Sequence, residues 1–214
     1  LLEQGSSEKV RVAAAIGLGK FALLAEHKKL RDCYLSQIQE ALLAVVNQPD
    51  NPVELKHRAL EAVAPLSLPE VHTAIMEAYR SQNHGLKISA IYAMGKNCSP
   101  DWLSILIKEL ASDNAEVCYE AAGACGELGE EAAVPHLINL VSNPDIDVRM
   151  AAIQALGKIG GTQAKECLEL CLDDTSEAIR QTAEQALNEL EALAGENIPR
   201  LFDPEAPDIK YDYR

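Results

Sequence analysis

The sequence predicts an all-α, right-handed solenoid of about six helix–turn–helix repeats, and three observations predict it. First, an aliphatic residue returns every 31 positions, at Leu55, Leu86, Val117, Val148 and Ile179, with a further copy at Val10, offset by 45. Second, the residue four places on is Ala in all six copies (Ala14, Ala59, Ala90, Ala121, Ala152, Ala183). Seven places on it is Gly or Ala (Gly17, Ala62, Ala93, Ala124, Ala155, Ala186). Third, aromatic residues make up only 4% of the 214 residues, and sheets favour aromatic and β-branched residues. A fixed spacing of this kind marks a repeat array, in which each unit buries its apolar face only against its neighbours.

Each unit begins with a helix. Positions 0, 4, 7 and 8 from the aliphatic start lie on one helical face. Position 8 is a larger core residue: Leu18, Val63, Met94, Cys125, Leu156 or Leu187. Position 9 is Gly in four copies (Gly19, Gly95, Gly126, Gly157), where the expectation is a left-handed cap ending the helix. A second helix follows. Leu68-Pro69-Glu70, Ser99-Pro100-Asp101 and Gly161-Thr162 signal its start, since Pro is tolerated at the first helical position. Its apolar stripe reads Val71, Ile75, Ala78 in one unit and Leu103, Leu106, Leu110 in the next. The repeats start near 8, 53, 84, 115, 146 and 177, within a solenoid of residues 1–195 and ahead of a Pro-rich extended tail, 196–214.

The stretch from Asn143-Pro144-Asp145 through Arg149-Met150-Ala151-Ala152 to Ala155-Leu156-Gly157-Lys158-Ile159-Gly160 closely resembles the short repeat of the phycobilisome-lyase-type HEAT proteins. The resemblance covers roughly residues 8–192. It implies a class that includes chromophore lyases, scaffolds and proteins of other function, so it fixes the fold and not the activity.

Leu1-Leu2 falls where a preceding second helix would end, which leads to the expectation that the chain is the C-terminal part of a longer protein. In the tail, Leu201, Phe202, Tyr211 and Tyr213, with Ile198, are the expected anchors of a segment docked on the solenoid or on a neighbouring copy.

The net charge is −14. Residues 109–148 hold nine acids and no Lys or Arg. Such a field repels phosphate backbones and argues against nucleic acid as a partner. No run of about 18 apolar residues is present, so no membrane span is expected, and six Cys without disulfide-like spacing read as reduced thiols of a cytoplasmic protein.

Signals for chemistry are sparse. The five His (His27, His57, His72, His84, His136) form no His-x-x-x-His pair, and none is followed by Glu. The HEAT-repeat hydroxylases that bind two irons carry His-Glu pairs, so this resemblance fails residue by residue. Cys118 and Cys125 are seven apart, and Cys167 and Cys171 four apart. Both spacings put the two thiols on one helical face, which suits metal or redox chemistry, but the repeat places Cys125, Cys167 and Cys171 in the core, where a free Cys acts as a small apolar residue. A base recurs one place after each aliphatic start (Arg11, Lys56, Lys87, Arg149, Arg180), with Cys118 breaking the series. These residues read first as hydrogen-bonding groups between repeats.

The expectation is therefore a non-enzymatic protein-binding scaffold, with no catalytic, cofactor or metal residue. The alternative is a chromophore-lyase-like subunit that binds a tetrapyrrole and its acceptor protein. The second helices are expected to line the concave face and to meet the partner through Trp102, Arg80, Glu77, Lys108, Asn139, Glu166 and Glu169, with Gln37, Glu40 and Thr73 beside them. The partner would be a protein with a basic or amphipathic surface, steered by the acidic second half.

Overall fold

The computed structural model describes Leu2, residues 7–26 and residues 32–196. Leu201, Phe202, Tyr211 and Tyr213, and Ile198 with them, lie outside the described residues. Eleven α-helices run in sequence: α1 (Glu8–Glu26), α2 (Asp32–Asn47), α3 (Val53–Val63), α4 (Pro69–Arg80), α5 (His84–Asn97), α6 (Leu103–Leu110), α7 (Ala115–Leu128), α8 (Val134–Leu140), α9 (Ile146–Ile159), α10 (Thr162–Cys171) and α11 (Glu177–Glu196). Short 3-10 turns, Pro100–Trp102 and Glu131–Ala133, lead into α6 and α8. The described residues contain no strand, and the fold is an all-α repeat solenoid.

Three of the odd-numbered helices, α5, α7 and α9, start in the same way. The side chains of Asn83, Asn114 and Asp145 accept from the backbone N–H of Leu86, Val117 and Val148 at 3.0, 3.1 and 3.3 Å. An Asn or Asp cap satisfies one of the orphan donors of the first turn.

The glycines do something other than cap. Gly95, Gly126 and Gly157 lie inside α5, α7 and α9, while the left-handed conformation falls later, at Cys98 and Gly129 (φ +53° and +75°), with Gly160 also at positive φ (+74°). The expected cap at position 9 is thus displaced, because the helices continue two residues past it. Space fixes these glycines. A Cβ on Gly95 would fall 2.7 Å from Ala124 Cα, one on Gly126 2.9 Å from Ala155 Cα, and one on Gly157 2.9 Å from Ala186 Cα. Gly19 faces Ala62 in the same manner at 3.2 Å. Position 9 of one repeat therefore meets position 7 of the next, backbone against backbone. At α3, Ala64 replaces this glycine, and α3 contacts α5 less extensively than the later odd helices contact one another.

The even helices contact one another less extensively than the odd ones do, and Leu106, Leu137 and Leu168 on three of them are buried. A stack with one tight layer curves towards it, so the odd helices line the inner face. The expectation that the second helices do so is corrected: the small residues pair first helix with first helix.

The residues one place after the aliphatic start tie each repeat to its neighbouring loops. Arg11 Nη2 donates to Asn51 Oδ1 (2.7 Å), Lys56 Nζ to the Pro49 carbonyl (2.9 Å), and Arg149 Nε to the Val141 carbonyl (2.8 Å). Arg149 also pairs with Asp174. Arg180 Nη1 donates to the Asp174 carbonyl (2.6 Å). Cys118 keeps the same role with a thiol, its Sγ donating to the Ser112 carbonyl at 2.9 Å. Lys87 Nζ donates instead to the buried Glu109 (2.7 Å), which also accepts from Tyr79 Oη (2.6 Å). Burial and that bond push the Tyr79 hydroxyl up to about 12.

Trp102 is fully buried, stacked on His72 with ring centroids 4.0 Å apart, and its Nε1 donates to Asn97 Oδ1 (2.9 Å). Asn97 in turn donates to the carbonyls of Ala64 (2.9 Å) and Leu66 (3.2 Å), closing the end of α3.

Two glycines three residues apart therefore respond in opposite directions to one substitution. Gly126→Ala forces a methyl into backbone and is expected to destabilise by about 1–3 kcal/mol. At Gly123 nothing lies within 4 Å of an added Cβ, so Gly123→Ala stabilises by about 0.5–1 kcal/mol. Urea unfolding measures both. By the same assay Trp102→Ala costs about 3–5 kcal/mol, the range for emptying a buried aromatic site.

Candidate functional site

The inner face carries a groove in three connected parts. The first, of about 800 Å3, lies between α1, α3 and α5, against Ile16, Leu23, Glu61, Tyr92 and Lys96. The second, of about 230 Å3, shares Tyr92, Lys96 and Glu127 and adds Tyr119, Glu120, Gln154 and Lys158. The third, of about 540 Å3, shares Tyr119 and Gln154 and adds Glu116, Asp147 and Met150.

Charge is arranged unevenly along this floor. Glu127 lies between two cations from the repeats on either side, accepting from Lys96 Nζ at 2.9 Å and Lys158 Nζ at 2.6 Å. Burial would raise its carboxyl, but the bonds from Lys158 and Lys96 outweigh that and hold it below the ordinary range. Both lysines are thereby held on one carboxylate, and the trio keeps one positive charge. Glu61 is held by Arg58 Nη1 (3.0 Å) and Ser89 Oγ (3.0 Å). Glu120 differs. It is half-buried, with no ion pair among the described residues, and burial, with repulsion from Glu61 and Glu116, pushes its carboxyl above the usual range. Exposed Tyr119 and Tyr92 border it in the same part of the groove. This part of the floor thus holds a half-buried carboxyl together with two tyrosines, of which Tyr92 already carries Lys96 Nζ over its ring at 5.6 Å, a setting suited to an ammonium or guanidinium group.

The residues singled out from sequence lie elsewhere. Glu77 and Arg80 are exposed on α4, Lys108 on α6, Asn139 on α8, and Glu166 and Glu169 on α10. All are in the outer layer, away from the groove. Trp102 offers no surface, because it is fully buried. Sequence reasoning missed Tyr92, Tyr119 and Glu120; the signal was their place on the first helices, on the side opposite the buried stripe.

A metal centre of three or more ligands does not fit the described residues, where no three His, Cys, Asp or Glu side chains converge. His72 stacks on Trp102. His57 packs over Gly85, where a Cβ would fall 2.6 Å from its ring. His84 meets Glu116 alone at 3.4 Å. No helix among the described residues is long and apolar enough to cross a membrane.

Residues 103–188 match the family model of HEAT repeats. Curated relatives include a deoxyhypusine hydroxylase of Candida albicans, 28% identical over 119 residues, covering 55% of this chain and 37% of that protein. Another is the deoxyhypusine hydroxylase of Schizosaccharomyces pombe, 26% identical over 172 residues, covering 72% and 54%. The chain thus spans about half, or less, of the relatives it matches. Among solved structures, the CpcE–CpcF complex of the phycocyanin lyase from Nostoc sp. superposes with a TM-score of 0.61 at 18% identity, covering 90% of this chain and 75% of that one; at that identity the likeness is one of fold.

These relatives point to an enzyme. They overturn the expectation of a non-enzymatic scaffold, and they do not favour the chromophore-lyase-like alternative. That expectation rested on the missing His-Glu pairs, yet kinship across a repeat array is carried by packing positions, which need no ligand set.

The raised Glu120 carboxyl has a stability consequence. Its folded state binds a proton more readily than the unfolded chain, so its contribution is most favourable below the ordinary carboxylate value and is lost as pH rises through the raised value. Glu120→Gln is therefore expected to raise Tm at about pH 7 and to match the parent below about pH 4. Thermal unfolding followed by circular dichroism across that range checks it; equal shifts at both ends would contradict the assignment.

Proposed function

We propose that this chain is the substrate-recognising solenoid of an enzyme of the deoxyhypusine-hydroxylase kind, built on short repeats of the phycobilisome-lyase type, and that its inner groove receives a basic segment of a protein substrate. The observation that carries the reading is Glu120, a half-buried carboxyl with no ion pair among the described residues, in the part of the groove that Tyr119 and Tyr92 also line. A carboxyl with an elevated proton affinity is destabilising where it stands, and a cationic side chain laid against it removes that cost. Glu116 and Asp147 extend the negative potential along the third part of the groove, which attracts such a segment from a distance. The curated relatives support the enzymatic half of the reading, as proteins named for acting on deoxyhypusine. The described residues contribute binding and orientation, and no oxidative step is assigned to them.

The test is the affinity of the chain for a lysine-rich peptide at low salt, read by fluorescence anisotropy. Glu120→Gln is expected to weaken binding about tenfold, equivalent to about 1.4 kcal/mol, although the same substitution stabilises the fold. Tyr119→Ala is expected to weaken it by a smaller factor, while Glu166→Gln on the outer layer leaves it unchanged. Equal affinity for a neutral peptide, or an unaltered Glu120→Gln, would sink the reading.

A further inference from the structure

Away from the groove, α10 brings Cys167 and Cys171 onto one face, one helical turn apart. That spacing keeps the two side chains beside each other on adjacent turns. Cys171 is buried, and Cys167 is half-buried with access to solvent. The other described cysteines are arranged differently. Cys118 is engaged by the Ser112 carbonyl, Cys125 is fully buried, and Cys98 is exposed at the end of α5.

Helical geometry decides what such a pair does. Residues four apart keep their Cβ atoms about 5–6 Å from each other, whereas a disulfide needs about 3.5–4.5 Å. Direct oxidation would have to unwind the last turn of α10. A third atom between the sulfurs, at about 2.3 Å from each as in metal–thiolate bonds, spans the pair without moving the backbone. Zinc asks for four ligands, and no third His, Cys, Asp or Glu joins these two among the described residues. Soft thiolates select monovalent copper, which two of them can satisfy.

We propose that Cys167 and Cys171 form a two-thiolate site for a single soft, thiophilic ion of the monovalent copper class. Binding is a ligand exchange without redox change. The cuprous ion takes both sulfurs, each thiol releases one proton, and the complex carries one negative charge.

The experiment is an anaerobic titration of the reduced 214-residue chain with Cu(I) against a coloured Cu(I)-specific chelator. One ion per chain is expected to be withdrawn from the chelator, with two protons released in weakly buffered solution. Cys167→Ser is expected to weaken capture at least tenfold, while Cys98→Ser and Cys33→Ser retain it. Zinc, titrated alone against a zinc chelator, should not be withdrawn. Undiminished capture in Cys167→Ser, or loss of capture in Cys98→Ser or Cys33→Ser, overturns the site. Cys171→Ser serves as a second variant provided its helical circular dichroism is intact. If it is not, the half-exposed Cys167 decides.

Discussion

Consecutive first helices touch through a glycine on one and an alanine on the next, and much of the architecture follows from that contact. It leaves no room for a methyl group between Gly95 and Ala124, Gly126 and Ala155, or Gly157 and Ala186. It sets the spacing of the inner layer, while the even helices touch one another less extensively. The difference between the two layers bends the stack and creates an inner face on which side chains from neighbouring repeats converge. The Lys96–Glu127–Lys158 ladder is one product of that convergence, since all three occupy the same place in successive repeats.

The unmatched Glu120 gains its meaning from the same arrangement. Glu127 holds the two lysines of this part of the groove in place, and Arg58 and Ser89 hold Glu61. Burial costs a carboxylate its hydration, and Glu120 has no partner in place to return it. Strain of this kind, kept in a groove bordered by exposed tyrosines, is where recognition is most economically placed.

The repeat was legible because a packing constraint recurs at a fixed interval, and a small residue in a fixed place is visible in one sequence. Its purpose was harder to read. Gly126 followed by Glu127 and Leu128 looks like the end of a helix, and only the position of Ala155 shows that it is a crossing point. Cys118 looked like a break in a series of bases, yet its thiol reaches the Ser112 carbonyl as the arginines reach theirs. The groove residues were missed for a related reason. Which helix faces inward depends on the ratio of two spacings between repeats, and that ratio is a property of the stack rather than of any segment. Trp102 shows the limit from the other side: its indole N–H is satisfied by Asn97, five residues earlier, a partner that composition could not suggest.

Ala64 has a consequence for how the molecule comes apart. In a linear array, cooperativity passes from each unit to the next through nearest-neighbour coupling. Between α3 and α5 the glycine contact is absent, and polar links, from Asn97 to the carbonyls of Ala64 and Leu66 and from Ser89 to Glu61, join the apolar packing. A linear array parts first where its coupling is weakest, so this seam is where the N-terminal helices are expected to separate from the uniform 31-residue repeats behind them.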